Sequence, residues 1–232
     1  MSPFRIALAA ATVLVASTAA QAATVSYGTT PASTSTLTTG LQTTNFTSSI
    51  TLPKFNTALG TLTSVAIDFA GSVTSTIRFE SLDASASTVT GTAAATVTLT
   101  RPNASQLAVI LPTNTRSATE AAFDGVIDFG GASGDIFSNV SGTVTAPTAT
   151  LTSASDLALF SGAGSIVLPV TGTGSSTITG PGNVVSQINT QASGSAFVVY
   201  TYAAALTSIP EPASMALLGA SLAGLGLLRR RA

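Results

Sequence analysis

The chain predicts an all-β body, an antiparallel β-sandwich of jelly-roll-like form, set between an N-terminal signal-peptide helix and a C-terminal transmembrane helix. Three observations lead there. Apolar residues alternate with Thr, Ser and small residues at period two through much of the body, the pattern of strands with one buried face. No stretch between Thr24 and Ser208 carries helical periodicity of useful length. Only 7% of residues are charged, and hydroxyls fill the outward positions, where β-branched Thr favours strands.

The front of the chain reads as a secretory leader. Arg5 supplies a positive start, residues 6–16 an apolar run, and Ala20-Gln21-Ala22 a small-residue cleavage site. Residues 1–22 are thus expected to be a signal peptide cut after Ala22, with Ala23 as the neighbouring alternative. The partners this implies are the secretion machinery and signal peptidase. An uncleaved anchor fits less well, because the apolar run is too short to span a bilayer.

Residues 23–208 form one expected domain, since all-β sandwiches reach this length as a unit. Val65, Ile67 and Phe69, then Val73, Ser75, Ile77 and Phe79, alternate as a strand pair, with Gly71 read as the turn between them. Ala95, Val97 and Leu99 make the next strand, stopped by Arg101-Pro102-Asn103, and residues 107–111 a short one closed by Pro112. Val140, Gly142 and Val144 continue the period, followed by residues 166–170 and by residues 197–202, rich in aromatic and β-branched side chains. Residues 29–40 suit an edge strand or loop. Residues 171–182, with Gly172, Gly174, Gly180 and Gly182 around Pro181, are expected to form a long loop or loose hairpin.

Composition excludes several chemistries. Without Cys there is neither disulfide nor thiolate site, and without His the usual general base and transition-metal ligand are gone. Ser-His-Asp, Cys-His and zinc hydrolase mechanisms are therefore ruled out. Between the two termini, Lys54, Arg78, Arg101 and Arg116 stand against Asp68, Glu80, Asp83, Glu120, Asp124, Asp128, Asp135 and Asp156, four bases to eight acids and a net charge of −4. So sparse and acidic a surface excludes nucleic acid as a partner.

The last residues, 209–232, are the most specific. Pro210, Glu211 and Pro212 form a segment that cannot continue a helix and is open to a protease. Residues 213–228 carry no charge and, as a helix rising ~1.5 Å per residue, span about 24 Å, short of a ~30 Å hydrocarbon core. Arg229, Arg230 and Arg231 then act as a membrane stop that holds the end on the cytoplasmic side. This order of proline turn, apolar helix and arginine stop resembles the PEP-CTERM sorting signal, which implies processing by a membrane-embedded exosortase and transient membrane anchoring. A Leu-Pro-x-Thr-Gly sortase signal is absent.

The body also has family-like motifs: Leu52-Pro53-Lys54-Phe55-Asn56, Leu59-Gly60-Thr61-Leu62, Phe123-Asp124-Gly125, Asp128-Phe129-Gly130-Gly131, Phe160-Ser161-Gly162 and Val199-Tyr200-Thr201-Tyr202. In that order they resemble the choice-of-anchor E domain, an exported bacterial domain attached to alternative sorting signals. The resemblance spans most of residues 25–205 and implies surface localisation but no reaction or cofactor. Asn56 stands where the family's Phe-Asp pair has its acid.

Within residues 123–137, Asp124, Asp128 and Asp135 lie among glycines and are the candidate Ca²⁺ ligands. EF-hand and RTX spacings are both missing, and Asp-Gly turns account for the same residues, so no metal site is expected. No cofactor and no catalytic residue is expected either. The favoured function is an exported, non-enzymatic surface or matrix protein, first held in the inner membrane and then released to the surface, with exopolysaccharide as a candidate neighbour. The alternatives are a carbohydrate-binding module, poorly supplied with aromatic platforms, and a glycoside hydrolase built on a carboxylate pair.

Overall fold

The computed structural model describes residues 22–28, 37–180 and 182–205, with residue 219 alone beyond them. The expected leader and tail helices fall outside the described residues, as do Ala20, Pro210, Glu211, Pro212, Arg229, Arg230 and Arg231. Among the described residues no helix is long and apolar enough to cross a membrane.

Eleven strands carry the chain: β1 (Ala22–Gly28), β2 (Gln42–Thr43), β3 (Phe46–Pro53), β4 (Gly60–Ser81), β5 (Ser87–Thr100), β6 (Gln106–Ile110), β7 (Thr113–Glu120), β8 (Gly134–Thr145), β9 (Ala149–Leu151), β10 (Ser165–Thr179) and β11 (Val184–Ala204). They form two sheets, every pair antiparallel. One sheet runs β1-β11-β4-β8, with β2 also on β11 and β9 also on β4. The other runs β3-β10-β5-β6, with β7 also on β5. The spine is the β4–β11 ladder, paired from Gly60↔Ala204 to Ser81↔Val184 with one irregularity at Thr201/Tyr202.

Period-two sequence explains the sandwich. Along β4, Val65, Ile67, Phe69, Val73, Ile77 and Phe79 are fully buried and alternate with partly exposed residues until Glu80 and Ser81, which are buried too. Each such side chain contributes about 1.5–3 kcal/mol on burial, and a one-residue register slip would turn the whole row to water. Ile50, Leu52, Val97, Leu99, Leu168 and Val170 from the facing sheet, with Val198 and Tyr200 from the neighbouring β11, join the Val65, Ile67, Phe69 and Val73 part of this row in one main core. A smaller cluster of Ile77, Phe79, Val89 and Ala93 closes one end. The outward hydroxyls of β5 and β7 pair across the strands, Thr88 with Thr119, Thr90 with Ser117 and Thr92 with Thr115, at 3.0, 2.8 and 3.1 Å.

Three expectations need correction. Gly71 is not a turn: β4 runs straight through it, and a Cβ there would strike the Ile110 side chain and the Ser193 carbonyl oxygen. The glycine makes room for a close approach between the sheets. Residues 171–179 are not a loop: β10 continues to Thr179, and Phe46 covers Gly172, its register partner. Here a large ring on the neighbouring strand supplies the packing that glycine lacks. Finally, the body is not free of helix. A seven-residue helix, α1 (Ala154–Phe160), follows β9, with Ser153 as its N-cap accepting from the Asp156 N–H.

Candidate functional site

The two ends of the body meet. Ala22 pairs with Ala203 and Ala23 with Tyr202, so the described residues of the expected cleavage site lie in β1, beside the closing residues of β11. Ala205 is fixed by its N–H to the Leu59 carbonyl at 3.0 Å. Pro210 stands five positions further along the chain. The segment after β11 and the segment before β1 are thus delivered to the same end of one sheet.

The opposite end of the β4–β11 ladder is acidic. Glu80 near the end of β4 is fully buried, Glu120 at the end of β7 is 5% exposed, and Asp83 lies just beyond β4. Ser133 Oγ donates to Glu80 Oε1 at 2.5 Å. The backbone of residues 121–134 is stitched over this end: Ala121 N–H to Ala132 O at 2.8 Å, Phe123 N–H to Asp83 O at 2.8 Å, Ser81 N–H to Ser133 O at 2.8 Å and Gly134 N–H to Gly130 O at 3.1 Å. Gly134 presses so closely that a Cβ would collide with Glu80 Oε2. Glu80 Oε2, Glu120 Oε1 and Asp83 Oδ2 are buried with no hydrogen-bond partner. Burial lifts the Glu120 carboxyl above the usual glutamate range, and the charges of Asp135 and Glu80 push the same way.

The candidate ligands Asp124, Asp128 and Asp135 sit in this region but do separate jobs. Asp124 Oδ1 accepts from Val126 N–H at 3.0 Å and Asp128 Oδ1 from Gly130 N–H at 2.9 Å, both turns of the Asx kind. Asp135 is paired in β8 opposite Phe79. Among the described residues no three acidic side chains are arranged to hold a metal ion. Sequence reasoning missed Glu80, Glu120 and Ser133. The available signal was Glu80 itself, an acid in the closing turn of a strongly patterned strand.

Two further features are structural. Arg101 binds Asp156 through Nε at 2.7 Å and Nη2 at 3.2 Å, and also reaches Ser105 Oγ and the Gln106 carbonyl. These bonds, with Ser153 on the other side, hold the Asp156 carboxyl below the usual aspartate range. The pair lines an open cleft of about 440 Å³ with Asn103 and Ser155. Asn56 caps a single turn over Thr57–Leu59 by accepting from Ala58 N–H at 3.0 Å. An Asp would make the same bond.

Phe55, Phe69, Phe79, Phe160 and Tyr200 are fully buried. Tyr200 is fully buried among Tyr27, Phe55 and Phe160, and its hydroxyl donates to the Pro53 carbonyl at 2.7 Å. Among the described residues, none of the well-exposed large hydrophobic side chains is aromatic.

Residues 208–231 match the family model described as the PEP-CTERM protein-sorting motif. The terminus therefore carries a sorting signal, which implies an exosortase as processing partner and a membrane-anchored precursor processed for export. No curated protein matches the chain. Solved structures with some likeness include the T13 IBDV viral particle, with 10% identity, a TM-score of 0.23, and coverage of 90% of this chain and 48% of that one. The infectious bursal disease virus VP2 subviral particle follows with 11% identity, a TM-score of 0.17, and coverage of 80% and 36%. The chain spans less than half the length of either, and likenesses this low bear on neither fold nor function.

Proposed function

We propose that this is a non-enzymatic surface or matrix protein of choice-of-anchor E type, a jelly-roll domain presented at the cell surface after an exosortase has processed its tail. The sorting match directly behind β11 carries this reading. The strand order supports the jelly-roll form: the first strand pairs with the last, β3 with the last but one, and both sheets are antiparallel. The start of β1 and the close of β11 at one end of a sheet suit a domain that stands on a membrane through both termini and is freed by cutting both. The carbohydrate-module alternative is weakened by inward-facing rings, since glycan platforms need exposed aromatic faces. The hydrolase alternative, which would use Asp124, Asp128 and Asp135, is weakened because Asp124 and Asp128 accept backbone N–H groups of their own turns and Asp135 is paired within β8.

Glu211→Ala with both prolines kept tests the reading in the native host. Membrane insertion should persist, because the apolar run and Arg229, Arg230 and Arg231 are untouched. The uncut precursor should accumulate in the inner membrane while the released form falls. Release of the Glu211→Ala protein at the normal rate would show that the motif is not read through this side chain.

A further inference from the structure

The acidic end holds six of the eight carboxylates between the termini, Glu80, Asp83, Glu120, Asp124, Asp128 and Asp135. Three of them contribute the orphaned oxygens described above. Buried acceptors without donors are costly, and buried like charges more so. Arg78, two residues before Glu80 on β4, has its Nε buried without a hydrogen-bond partner, and Arg116 stands four before Glu120 on β7, but neither is in ion-pair contact with these carboxylates, the ion pair among the described residues being Arg101–Asp156. β5 and β11 bring no charged side chain to this end. From β8 comes only Asp135, and from the covering segment only Asp124 and Asp128. A proton is the smallest species that relieves such a site. On Glu120 it removes one negative charge and converts one orphaned acceptor into a donor, in a region where Glu80 Oε2 is an acceptor without a partner.

We propose that the acidic end is a proton-operated latch: with Glu120 protonated, residues 121–134 stay closed over Glu80, and with Glu120 ionised they loosen. The sign follows from burial. A carboxyl whose folded pKa lies above its ordinary value of 4.5 contributes stability that is complete below that value and lost as pH rises through the folded pKa. The latch is therefore tight below the ordinary glutamate value and slack once pH has risen through the raised Glu120 value. It needs no new ligand, and it sits at the end of the β4–β11 ladder opposite Ala204.

The test uses the full-length protein in mild detergent, with melting temperature and amide exchange followed from about pH 5 to about pH 8, exchange rates being corrected for the intrinsic effect of pH. The wild type should melt at a lower temperature as pH rises over that range, and exchange at Ala121, Ser81 and Gly134 should accelerate at least several-fold. Glu120→Gln, neutral at every pH, should keep both readings flat. A flat wild type, or a Glu120→Gln variant with the wild-type slope, overturns the proposal. Should that variant not fold, carboxyl carbon-13 titration of the wild type decides: a Glu120 midpoint at or below 4.5 overturns the latch, and one above it supports it. If millimolar Ca²⁺ restores the melting temperature at about pH 8 and Glu120→Gln abolishes that rescue, the occupant is a cation, and the proton latch is wrong.

Discussion

Tyr200→Phe removes one oxygen from the centre of the molecule. The hydroxyl ties β11 in one sheet to the Pro53 carbonyl at the end of β3 in the other, at 2.7 Å. A hydrogen bond of this kind contributes about 0.5–1.5 kcal/mol net, and the buried carbonyl left behind adds to the loss, so a destabilisation of about 1–2 kcal/mol is expected. For a domain of this size that is a fall of about 3–6 °C in melting temperature. Tyr200→Ala also deletes the ring that meets Tyr27, Phe55 and Phe160 at centroid distances of 6.0, 6.1 and 6.4 Å, and should cost about 3–5 kcal/mol. Alkaline pH gives an independent reading. Burial, with Tyr27 beside it, raises the phenol pKa above its ordinary 10.0, so its stabilising contribution is complete below that value and falls as pH rises above it. Urea denaturation of both variants, with an unchanged slope, measures the difference. A Tyr200→Phe protein within about 0.3 kcal/mol of wild type, with the same alkaline profile, would refute the inter-sheet tie.

Gly71→Val should destabilise by about 1–3 kcal/mol or more through collision with Ile110 and the Ser193 carbonyl; a neutral substitution in thermal melts would return Gly71 to the role of a turn. Arg101→Ala should release α1 from the loop after β5 and reduce the acid sensitivity that Asp156 contributes, leaving the part that Ser153 supplies. That carboxyl's folded pKa lies below its ordinary 3.8, so the stability it adds is present above that value and lost as pH falls through the folded pKa. For a partly exposed pair the effect is about 1 kcal/mol or less; an unchanged profile below about pH 4 in the variant would refute it.

The sheets were legible because their information is local. Val65 to Phe79 and Ala95 to Leu99 alternate cleanly, and the buried row lies where the period puts it. What failed depended on distant partners. Gly71 and Gly172 look like turn glycines until Ile110 and Phe46, far away in sequence, are seen to occupy the space of their missing side chains. The helix α1 was marked by Ser153 and Asp156 at capping-box spacing, but seven residues are too few for periodicity to show. The acidic end was half legible: Asp124 and Asp128 followed the turn chemistry of Asp near glycine, with Gly125 one residue and Gly130 two residues on. Burial of Glu80 and Glu120 depends on how residues 121–134 fold back, which no local pattern encodes. The tail was the opposite case, since its meaning lies in the order of residues alone.

The strand order also sets a clock. β11 is the last strand of the body, yet it lies inside its sheet, with β1 on one side and β4 on the other. Until residues 184–204 arrive, β1 has no neighbour and β4 lacks its longest ladder, so that sheet cannot close. A chain that emerges N-terminus first through a narrow conduit thus remains threadable for almost its whole length. Its body snaps shut only when the segment bearing Pro210 is next in line. Folding cannot outrun export, and completion of the domain coincides with arrival of the signal that retains it for cutting.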